Sequence, residues 1–397
     1  MDKIKELAEK YWIQAVALRR YFHQYPELSA KEFKTADKIA ETLDLLNISY
    51  IRNVGGTGLV ALVQGELAGS KCVALRADMD ALPLYEIKET PYQSRHKGIM
   101  HACGHDAHIA SLLGTLMIIS NLKPYFGGTV KAIFQPSEEE CLGGADALIE
   151  ACVLQQPDVQ LIFGQHVTPE IPTGSIGIRA GACMASSDEI HLTITGRGGH
   201  AALSKEVINP LMAGVCILSE IDNNIRRMQP ADPPSVVAFG KFLAPGKSNI
   251  ICDTVEIEGT IRTFDETWRK QVHHIIKKVA EQVAKKMNVQ VFPEIRHGYP
   301  VLNNDEKATE HVRRCAIQYL GNDKVIELQP RMTADDFALY LQEVPGCYYR
   351  LGVTAEGSSV HQLHTVDFDI DEEALKVGMG LMSWVAISAL NESLSAL

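Results

Sequence analysis

The chain has 397 residues, and its 38 Lys and Arg residues against 49 Asp and Glu residues give a formal charge of −11. Apolar residues make up 46% and charged residues 22%, a globular composition that excludes a mainly disordered chain. This length predicts two or three domains. The acidic balance, with no long run of Lys or Arg, argues against nucleic acid as a partner.

Two further observations bear on the compartment of the protein. The sequence has no apolar run long enough to span a bilayer, and its charged, helical start is not that of a secretory leader, so we predict no membrane association. The nine cysteines are scattered and form no Cys-x-x-Cys pair. That pattern is typical of reduced thiols, and we therefore expect a cytoplasmic protein.

Helical and strand patterns alternate through the first 180 residues. The predicted elements are helices at 3–23 and 31–46, strands at 59–65 and 71–80, a helix at 107–120, a strand at 129–139, a helix at 143–151 and a strand at 159–167. Such alternation predicts an α/β sheet with helices on its faces. In sheets of this kind, functional residues collect in the loops at strand ends.

The pattern changes in the middle of the chain. The predicted elements there are a strand at 189–198, a helix at 209–228, strands at 236–244 and 254–264, a helix at 268–287 and a strand at 289–295. This β-α-β-β-α-β order is that of the ferredoxin-like fold. We therefore predict an inserted domain at 183–297 between two parts of one α/β domain, 1–182 and 298–397.

The densest chemical motif is HACGHDAH at 101–108. Cys103 and His105 are two residues apart and cannot share a helix face, so we place them on a loop, with Asp106 as the N-cap of the next helix. A thiolate and an imidazole together suit a metal ion such as zinc. His101 and His108 are either further ligands or supporting or surface residues.

Three other strand ends or loops carry candidate ligands. QPSEEE at 135–140 is either a solvated turn or a metal-binding carboxylate beside a general base. His166 and His364 are either core histidines or ligands. Together with Cys103 and His105, these segments supply five ligands, the number that two adjacent cations need when water completes their shells.

Eight motifs in order resemble M20-type metallopeptidases. They are RADMDALP (76–83), HACGHDAH (101–108), QPSEE (135–139), GQHV (164–167), GRGGHAA (196–202), EGTIRTF (258–264), the segment 335–346 and LHTVDFDIDEEAL (363–375). The similarity is greatest to the amidohydrolase branch, which includes hippurate hydrolases, plant indole-acetyl-amino-acid hydrolases and bacterial N-acetyl-diaminopimelate deacetylases. The resemblance implies a mixed-sheet, zinc-peptidase-like α/β catalytic domain with an inserted ferredoxin-like α+β domain that serves as lid and dimerisation domain.

The resemblance also implies roles for individual residues. The metal ligands it implies are Cys103, His105, Glu139, His166 and His364. It makes Glu138 the general base, and His200 the residue that reaches a neighbouring subunit's site and stabilises the oxyanion. Asn249 and Arg262 match positions that contact substrate.

Asp78, Asp80 and Asp106 are expected to orient the ligands. The implied activity is metal-dependent hydrolysis of N-acyl amino acids, with two Mn²⁺ or Zn²⁺ ions, in a homodimer. Two alternatives remain for the whole protein: a metallo-dipeptidase or aminopeptidase, or a non-catalytic relative that binds a small ligand. For Cys103 alone, the alternative is a redox-sensing thiol.

The chain departs from the branch in its inserted domain. Ser204-Lys205 replaces the usual Pro-His pair, Asn209 replaces the Asp of the usual Asp-Pro pair, and Cys252 replaces a proline. These changes touch no proposed ligand, and we expect any effect to fall on the lid, the dimer contact or substrate preference.

Overall fold

The computed structural model describes residues 1–140 and 143–392. The helices of this part are α1 (Asp2–Gln24), α2 (Phe33–Leu45), α3 (His105–Ser120), α4 (Gly144–Glu150), α5 (Pro210–Met228), α6 (Glu266–Met287), α7 (Glu306–Leu320), α8 (Phe337–Glu343) and α9 (Ala374–Asn391). Eight cysteines lie in the described part and are free thiols. The ninth, Cys141, lies outside the described residues.

The strands of the described residues are β1 (Ser49–Val54), β2 (Gly58–Gln64), β3 (Leu67–Asp78), β4 (Gly127–Gln135), β5 (Leu161–Pro172), β6 (Ile176–Ile178), β7 (Gly181–Met184), β8 (Asp188–Thr195), β9 (Gly199–His200), β10 (Ser235–Leu243), β11 (Ile250–Ile251), β12 (Thr254–Thr263), β13 (Gln290–His297), β14 (Leu302–Asn304), β15 (Val325–Glu327) and β16 (Gly346–Thr354). The chain divides into two compact units. The large unit comprises Met1–Gly181, Asn303–Gln329 and Asp336–Leu397, and the small unit comprises Ala182–Leu302 and Pro330–Asp335.

The large unit is built on an eight-stranded mixed sheet with the order β1-β2-β4-β3-β5-β16-β6-β15. Its centre is parallel, because β3 pairs in parallel with β4 and β5, and β5 pairs in parallel with β16. The predicted α/β fold class is confirmed. The central strand β16 has no counterpart among the predicted elements, because it is buried along almost its whole length and shows no polar alternation.

Helices α1, α3 and α9 pack together in the large unit, and α9 also contacts β3, β4 and β16. Every residue of α3 except Ser120 is buried, so the start of this helix is fixed within the core. Among the described residues, α9 is the one helix long and apolar enough to cross a membrane, and most of it is buried, as in a core helix.

The small unit contains an antiparallel sheet with the order β10-β12-β8-β13. Apolar residues of α5 and α6, such as Ile217, Ile221, Val272 and Ile276, are buried in one cluster with the strand residues. The chain order β8-α5-β10-β12-α6-β13 is the β-α-β-β-α-β order predicted from the sequence. Strands β9 and β11 form a separate two-stranded ribbon.

Candidate active site

The sheet brings three of the sequence motifs to one edge. Asp78 is the last residue of β3, and β4 ends three residues before Glu138. His166 lies within β5, which neighbours β3 on its other side. Because these strands are parallel, their carboxyl-terminal ends lie at the same edge, where ligands bind in sheets of this kind.

Cys103 lies between two histidines from distant parts of the chain. Its Sγ is 3.4 Å from Nε2 of His166 and 3.3 Å from Nε2 of His364. Nε2 of His364 is also 3.4 Å from Oε1 of Glu139. Four of the five predicted ligands thus form one continuous cluster.

His105 completes this cluster. Its Nδ1–H donates to the backbone oxygen of Asp80 at 2.8 Å, which leaves Nε2 as the ring nitrogen that can face a metal ion. Nε2 lies 3.9 Å from a carboxylate oxygen of each of Glu138 and Glu139 and 3.7 Å from Oδ2 of Asp78. We name Cys103, His105, Glu139, His166 and His364 the donor cluster.

The donor cluster passes a test for metal binding. Nε2 of His105 and Oε1 of Glu139 are buried and have no hydrogen-bond partner. Buried polar atoms are costly unless they are paired, and a cation would pair both of these. The cluster is made of overlapping groups of three residues, and within each group the donor atoms lie within 4.8 Å of one another. Their nitrogen, oxygen and sulfur atoms are the donor types that bind zinc and related ions.

Protonation in the metal-free protein follows from burial. Burial lowers the pKa of His166 well below its usual value, and Arg350 acts in the same direction, so the ring is the neutral form that binds metals. Burial also raises the pKa of the Cys103 thiol, as does Glu139. A redox-sensing cysteine needs a lowered pKa, so the redox alternative is disfavoured.

His108 is not a ligand candidate in this geometry, because both of its ring nitrogens have partners. Nδ1 donates to Oδ1 of Asp78 at 2.5 Å, and Nε2 accepts from the amide of Val167 at 2.9 Å. Burial would raise the pKa of Asp78, but Arg76 and the histidines lower it well below its usual value. Asp78 therefore remains ionised and holds His108, while His101 is buried with its pKa lowered by burial to about 3.

The expectation that Asp106 is an N-cap is wrong. Helix α3 begins at His105, and the N-cap position is Gly104, whose φ of +86° is left-handed. Asp106 lies in the first turn and accepts from Nε of Arg19 and from Nδ1 of His23, each at 2.8 Å. The buried guanidinium draws the carboxylate away from the helix end, and Asp106 ties α1 to the segment that carries His105.

We expect Asp80 to orient the metal ligands, and the structure shows which backbone groups it holds. Its carboxylate accepts the amides of Glu138 and Glu139, each at 3.0 Å, and the hydroxyl of Ser29 at 2.7 Å. Asp80 thus orients the loop after β4. No sequence pattern indicates Glu32, whose carboxylate accepts a hydrogen bond from the preceding amide, that of Ser137.

The three predicted residues of the small unit lie on its strands and ribbon. His200 and Asn249 are exposed neighbours, since His200 pairs with Ile250 in the ribbon and the amide of Ala201 donates to the backbone oxygen of Asn249 at 3.0 Å. Nδ1 of His200 accepts from the amide of Ala202 at 3.1 Å, which leaves Nε2–H as a donor. Arg262 is half-buried in β12.

The structure shows the surroundings of two residues that differ from the family pattern, Asn209 and Cys252. The side chain of Asn209 accepts from the amides of Leu211 and Met212 and caps α5, with Pro210 as the first helical residue. Asn and Asp cap helices about equally well, so the replacement keeps the helix start. Cys252 is buried in the apolar cluster of the small unit.

Comparisons with known proteins show which family the chain is similar to. The profile of Peptidase family M20/M25/M40 matches residues 74–387. The N-acetyl-L-cysteine deacetylase of Bacillus subtilis is 36% identical over 91% of this chain and 85% of its own length. Thermostable carboxypeptidase 2 of Saccharolobus solfataricus is 34% identical over 98% of both chains.

A solved structure is similar over almost the whole length. The crystal structure of a dinuclear metal-binding peptidase of the M20 family from Bacillus subtilis has a TM-score of 0.84 and 33% identity, covering 96% of this chain and 99% of that one. The resemblance inferred from the eight motifs is thereby confirmed. The chain belongs to Peptidase family M20/M25/M40.

Proposed function

We propose that this protein hydrolyses the amide bond of N-acyl amino acids with the help of two divalent cations. The observation that carries the proposal is the convergence of the donor cluster from four separate segments, with Glu138 beside it. The deacetylase relative, whose name describes this reaction on N-acetyl-L-cysteine, supports it. The free cysteines of the present protein support our proposal of a cytoplasmic location.

The donor cluster would hold the two cations. Bound divalent cations supply Lewis acidity, which polarises an amide carbonyl and lowers the pKa of water toward about 7. Thiolate and imidazole donors favour Zn²⁺, whereas the carboxylate also suits Mn²⁺, and we propose one of these two metals. Neutral His166 is already in the form that binds a cation, whereas burial lowers the pKa of His105 but Asp78 raises it well above its usual value, so His105 would release a proton as a cation binds.

Glu138 is the proposed general base. Its side chain is 11% exposed, so that water and substrate can reach it, and its Oε2 lies 3.9 Å from Nε2 of His105. It would accept a proton from the attacking water and deliver it to the leaving amine. Asp80 holds the amide of Glu138 and limits the directions in which the carboxylate can point.

The small unit would complete the site as a lid and dimerisation domain, which we propose spans residues 183–297. The Nε2–H of His200 would donate to the developing oxyanion of a neighbouring subunit's substrate. Asn249 and Arg262 would bind the substrate carboxylate, for which a guanidinium has the matching geometry. Exposure of His200 and Asn249 supports this role.

A second candidate function is carboxypeptidase activity. It is favoured by the 34% identity to a thermostable carboxypeptidase over 98% of both chains. The bond is chemically similar, since an N-acyl amino acid and the C-terminal end of a peptide both present an amide followed by a free carboxylate. The two functions differ in the size of the acyl side that the protein accepts.

The test compares small and large acyl groups on one amino acid. Chelator-stripped protein is resupplied with Mn²⁺ or Zn²⁺ and given N-acetyl, N-benzoyl and N-indoleacetyl amino acids, free dipeptides and N-acetyl dipeptides. Metal-dependent release of the amino acid from the simple N-acyl substrates supports the proposal. Preferential release of the C-terminal residue from N-acetyl dipeptides supports the carboxypeptidase.

Two results would overturn the proposal. Cleavage of free dipeptides alone would indicate a dipeptidase. No cleavage with two metals demonstrably bound would indicate the non-catalytic binding protein. Glu138→Gln protein with the same metal content is the control, because it should bind the cations and release the amino acid about 10²–10⁴-fold more slowly.

A further inference from the structure

Two buried carboxylates hold the backbone that carries the glutamate pair. The amide of Ser137 donates to Oε1 of Glu32 at 2.9 Å. The next two amides, those of Glu138 and Glu139, donate to Oδ1 and Oδ2 of Asp80, each at 3.0 Å. Three successive N–H groups therefore end on carboxylate oxygens. Such charge-assisted hydrogen bonds are stronger than neutral ones, and they hold the backbone of this loop in one conformation.

Glu32 is itself firmly placed. It is fully buried, at 0% exposure, just before α2. Its Oε1 also accepts from the amide of Ala30 at 3.1 Å, and its Oε2 accepts from the hydroxyl of Thr57 at 2.7 Å. The carboxylate thus has donors on both oxygens, and its direction toward Ser137 is set by the residues around it.

Ser137 is the point at which this support is needed. Its φ of +56° lies in the left-handed region, which L-residues other than Gly, Asn and Asp seldom adopt. Its hydroxyl oxygen accepts from the amide of Ala30 at 2.8 Å, and its backbone oxygen accepts from the amide of Gly144 at 3.1 Å. Strained backbone persists only where the surroundings over-determine it. A rotation at Ser137 would move both glutamates together.

We propose that Glu32 is a positioning residue, which acts through Ser137 to orient Glu138 as base and Glu139 as ligand. The roles of Glu138 as base and Glu139 as ligand are those of the proposed function, and this inference rests on them. Glu32 does not touch the reacting atoms. A general base must lie within hydrogen-bond reach of the proton it accepts, and a displacement of about 1 Å can cost about 10²-fold in rate.

The first test uses Glu32→Gln, which keeps the shape of the side chain and removes its charge. We expect kcat to fall about 10- to 100-fold, with KM changed less than twofold, because the base is misdirected while substrate contacts remain. The matched control is Glu27→Gln. Glu27 lies in the same segment, but its carboxylate binds the amide and hydroxyl of Thr35 and supports α2 instead.

Hydrogen exchange provides a readout that does not depend on activity. Glu32→Gln should speed exchange in a peptide covering 134–140, whereas Glu27→Gln should speed it only at the start of α2. If the wild-type protein hydrolyses none of the substrates, this measurement still tests the role of Glu32. Faster exchange in 134–140 supports a role of Glu32 in fixing this loop, and unchanged exchange overturns it. Failure of the proposed function is therefore distinguishable from failure of this inference.

A double-mutant cycle separates positioning from a general loss of stability. In the Glu138→Gln background, Glu32→Gln should lower the residual rate less than it lowers the wild-type rate, because the part of its effect that passes through Glu138 is already lost. Equal losses in both backgrounds would overturn the proposal. Should Glu32→Gln fail to fold, Thr57→Val takes its place. This variant removes the hydroxyl that fixes Oε2 of Glu32, and a fall in kcat is again expected, whereas an unchanged kcat would count against the role.

Discussion

The two units differ in how they hold the residues proposed for catalysis. In the large unit, Cys103, His105 and His166 of the donor cluster are buried, whereas His364 is exposed. Asp80, which supports the cluster, is buried and accepts two amides and a hydroxyl. In the small unit, His200 and Asn249 are exposed, and His200 is placed by a ribbon of two residues in each strand.

The difference has a physical meaning. Metal ligands must be arranged before the cation arrives, since their alignment determines the affinity, and rigid supports serve that need. Residues that meet the substrate must instead allow it to enter and leave. We therefore expect substitutions of the buried metal ligands to change metal binding, rate and stability together, and those at His200 or Asn249 to change activity while metal binding and stability stay the same.

The largest expected effect is that of Glu138→Gln. We expect kcat to fall about 10²–10⁴-fold, because this is the usual contribution of a positioned general base. Metal content, measured by mass spectrometry of the elements, should remain that of the wild type, since Glu138 is proposed as base and not as ligand. The exposed neighbour Glu140 supplies the control, and Glu140→Gln should retain most of the activity.

A different outcome would redraw the site. If Glu138→Gln also loses a metal ion, the two glutamates share ligation, and the division of roles between Glu138 and Glu139 is wrong. If Glu140→Gln is the variant that loses activity, the base has been assigned two residues too early. Both substitutions are isosteric, so circular dichroism should show the same helix content in each.

The second effect is that of His200→Ala. We expect kcat to fall about 10²–10³-fold, the usual cost of one lost oxyanion donor. Metal content and melting temperature should stay unchanged, because His200 is exposed and accepts one backbone hydrogen bond. His191→Ala, at a half-buried histidine of β8, is the control and should leave the rate unchanged. A changed metal affinity in His200→Ala would contradict the proposal that only the large unit determines metal binding.

Mixed dimers test whether His200 acts across subunits. His200→Ala and Glu138→Gln are each nearly inactive, but a mixed dimer has one site with a wild-type Glu138 and the partner's wild-type His200. A 1:1 mixture that exchanges subunits should regain about a quarter of wild-type activity. No recovery after demonstrated exchange would place His200 at the site of its own subunit.

Two segments of the proposed donor cluster could be located from the sequence, because each follows a strand pattern. A strand pattern before QPSEE and one before His166 place both at the same sheet edge. The central strand β16 gave no comparable signal. A strand buried on both faces reads as a short apolar run without alternation, and its parallel partner β5 lies far away in sequence.

Long-range polar pairing was the other part that could not be predicted. Glu32 lies 105 residues from Ser137, and Arg19 lies 87 residues from Asp106. Hydrogen-bonding capacity is visible in a sequence, but the choice of partner depends on which segments the fold brings together. Asp106 shows the consequence: its position before a helix predicts a cap, yet a buried guanidinium from α1 is the stronger partner.

The third prediction concerns the buried ion network behind the site. Burial would raise the pKa of Asp369, but Arg19 and Lys88 lower it to about 2. Because the folded pKa lies below the unfolded value, the carboxylate stabilises the fold above about pH 4, and this is lost as pH falls toward about 2. Asp369→Asn should therefore cost about 2 kcal/mol of the free energy of unfolding at neutral pH.

Urea unfolding at pH 7 and pH 3 measures this difference. The difference in the free energy of unfolding between wild type and Asp369→Asn should be smaller at pH 3, where the wild-type carboxylate is partly protonated and stabilises the fold less. Asp367→Asn is the control, because Asp367 is half-exposed and pairs with His361 near the surface, where ion pairs contribute little. A constant gap between the two pH values would show that the substitution acts through packing and not through charge.

The smallest effect is expected at Asn209, in the less constrained small unit. Its side chain accepts from the amides of Leu211 and Met212 at 3.0 and 3.3 Å. Removal of such a cap in Asn209→Ala should cost about 1 kcal/mol of the free energy of unfolding. Hydrogen exchange should be faster at the first turn of α5, while kcat and metal content stay close to the wild type.

Asn209→Asp sharpens this result, since it restores the residue usual in the family at this position. Both side chains cap well, and a negative charge at the start of α5 interacts favourably with the helix dipole, so stability should be equal or higher by about 0.3–1 kcal/mol. A change in substrate preference without a change in stability would mean that Asn209 contributes to the lid itself. An unchanged preference would confine its role to α5, and the differences from the family at Ser204-Lys205 would then be the next to test.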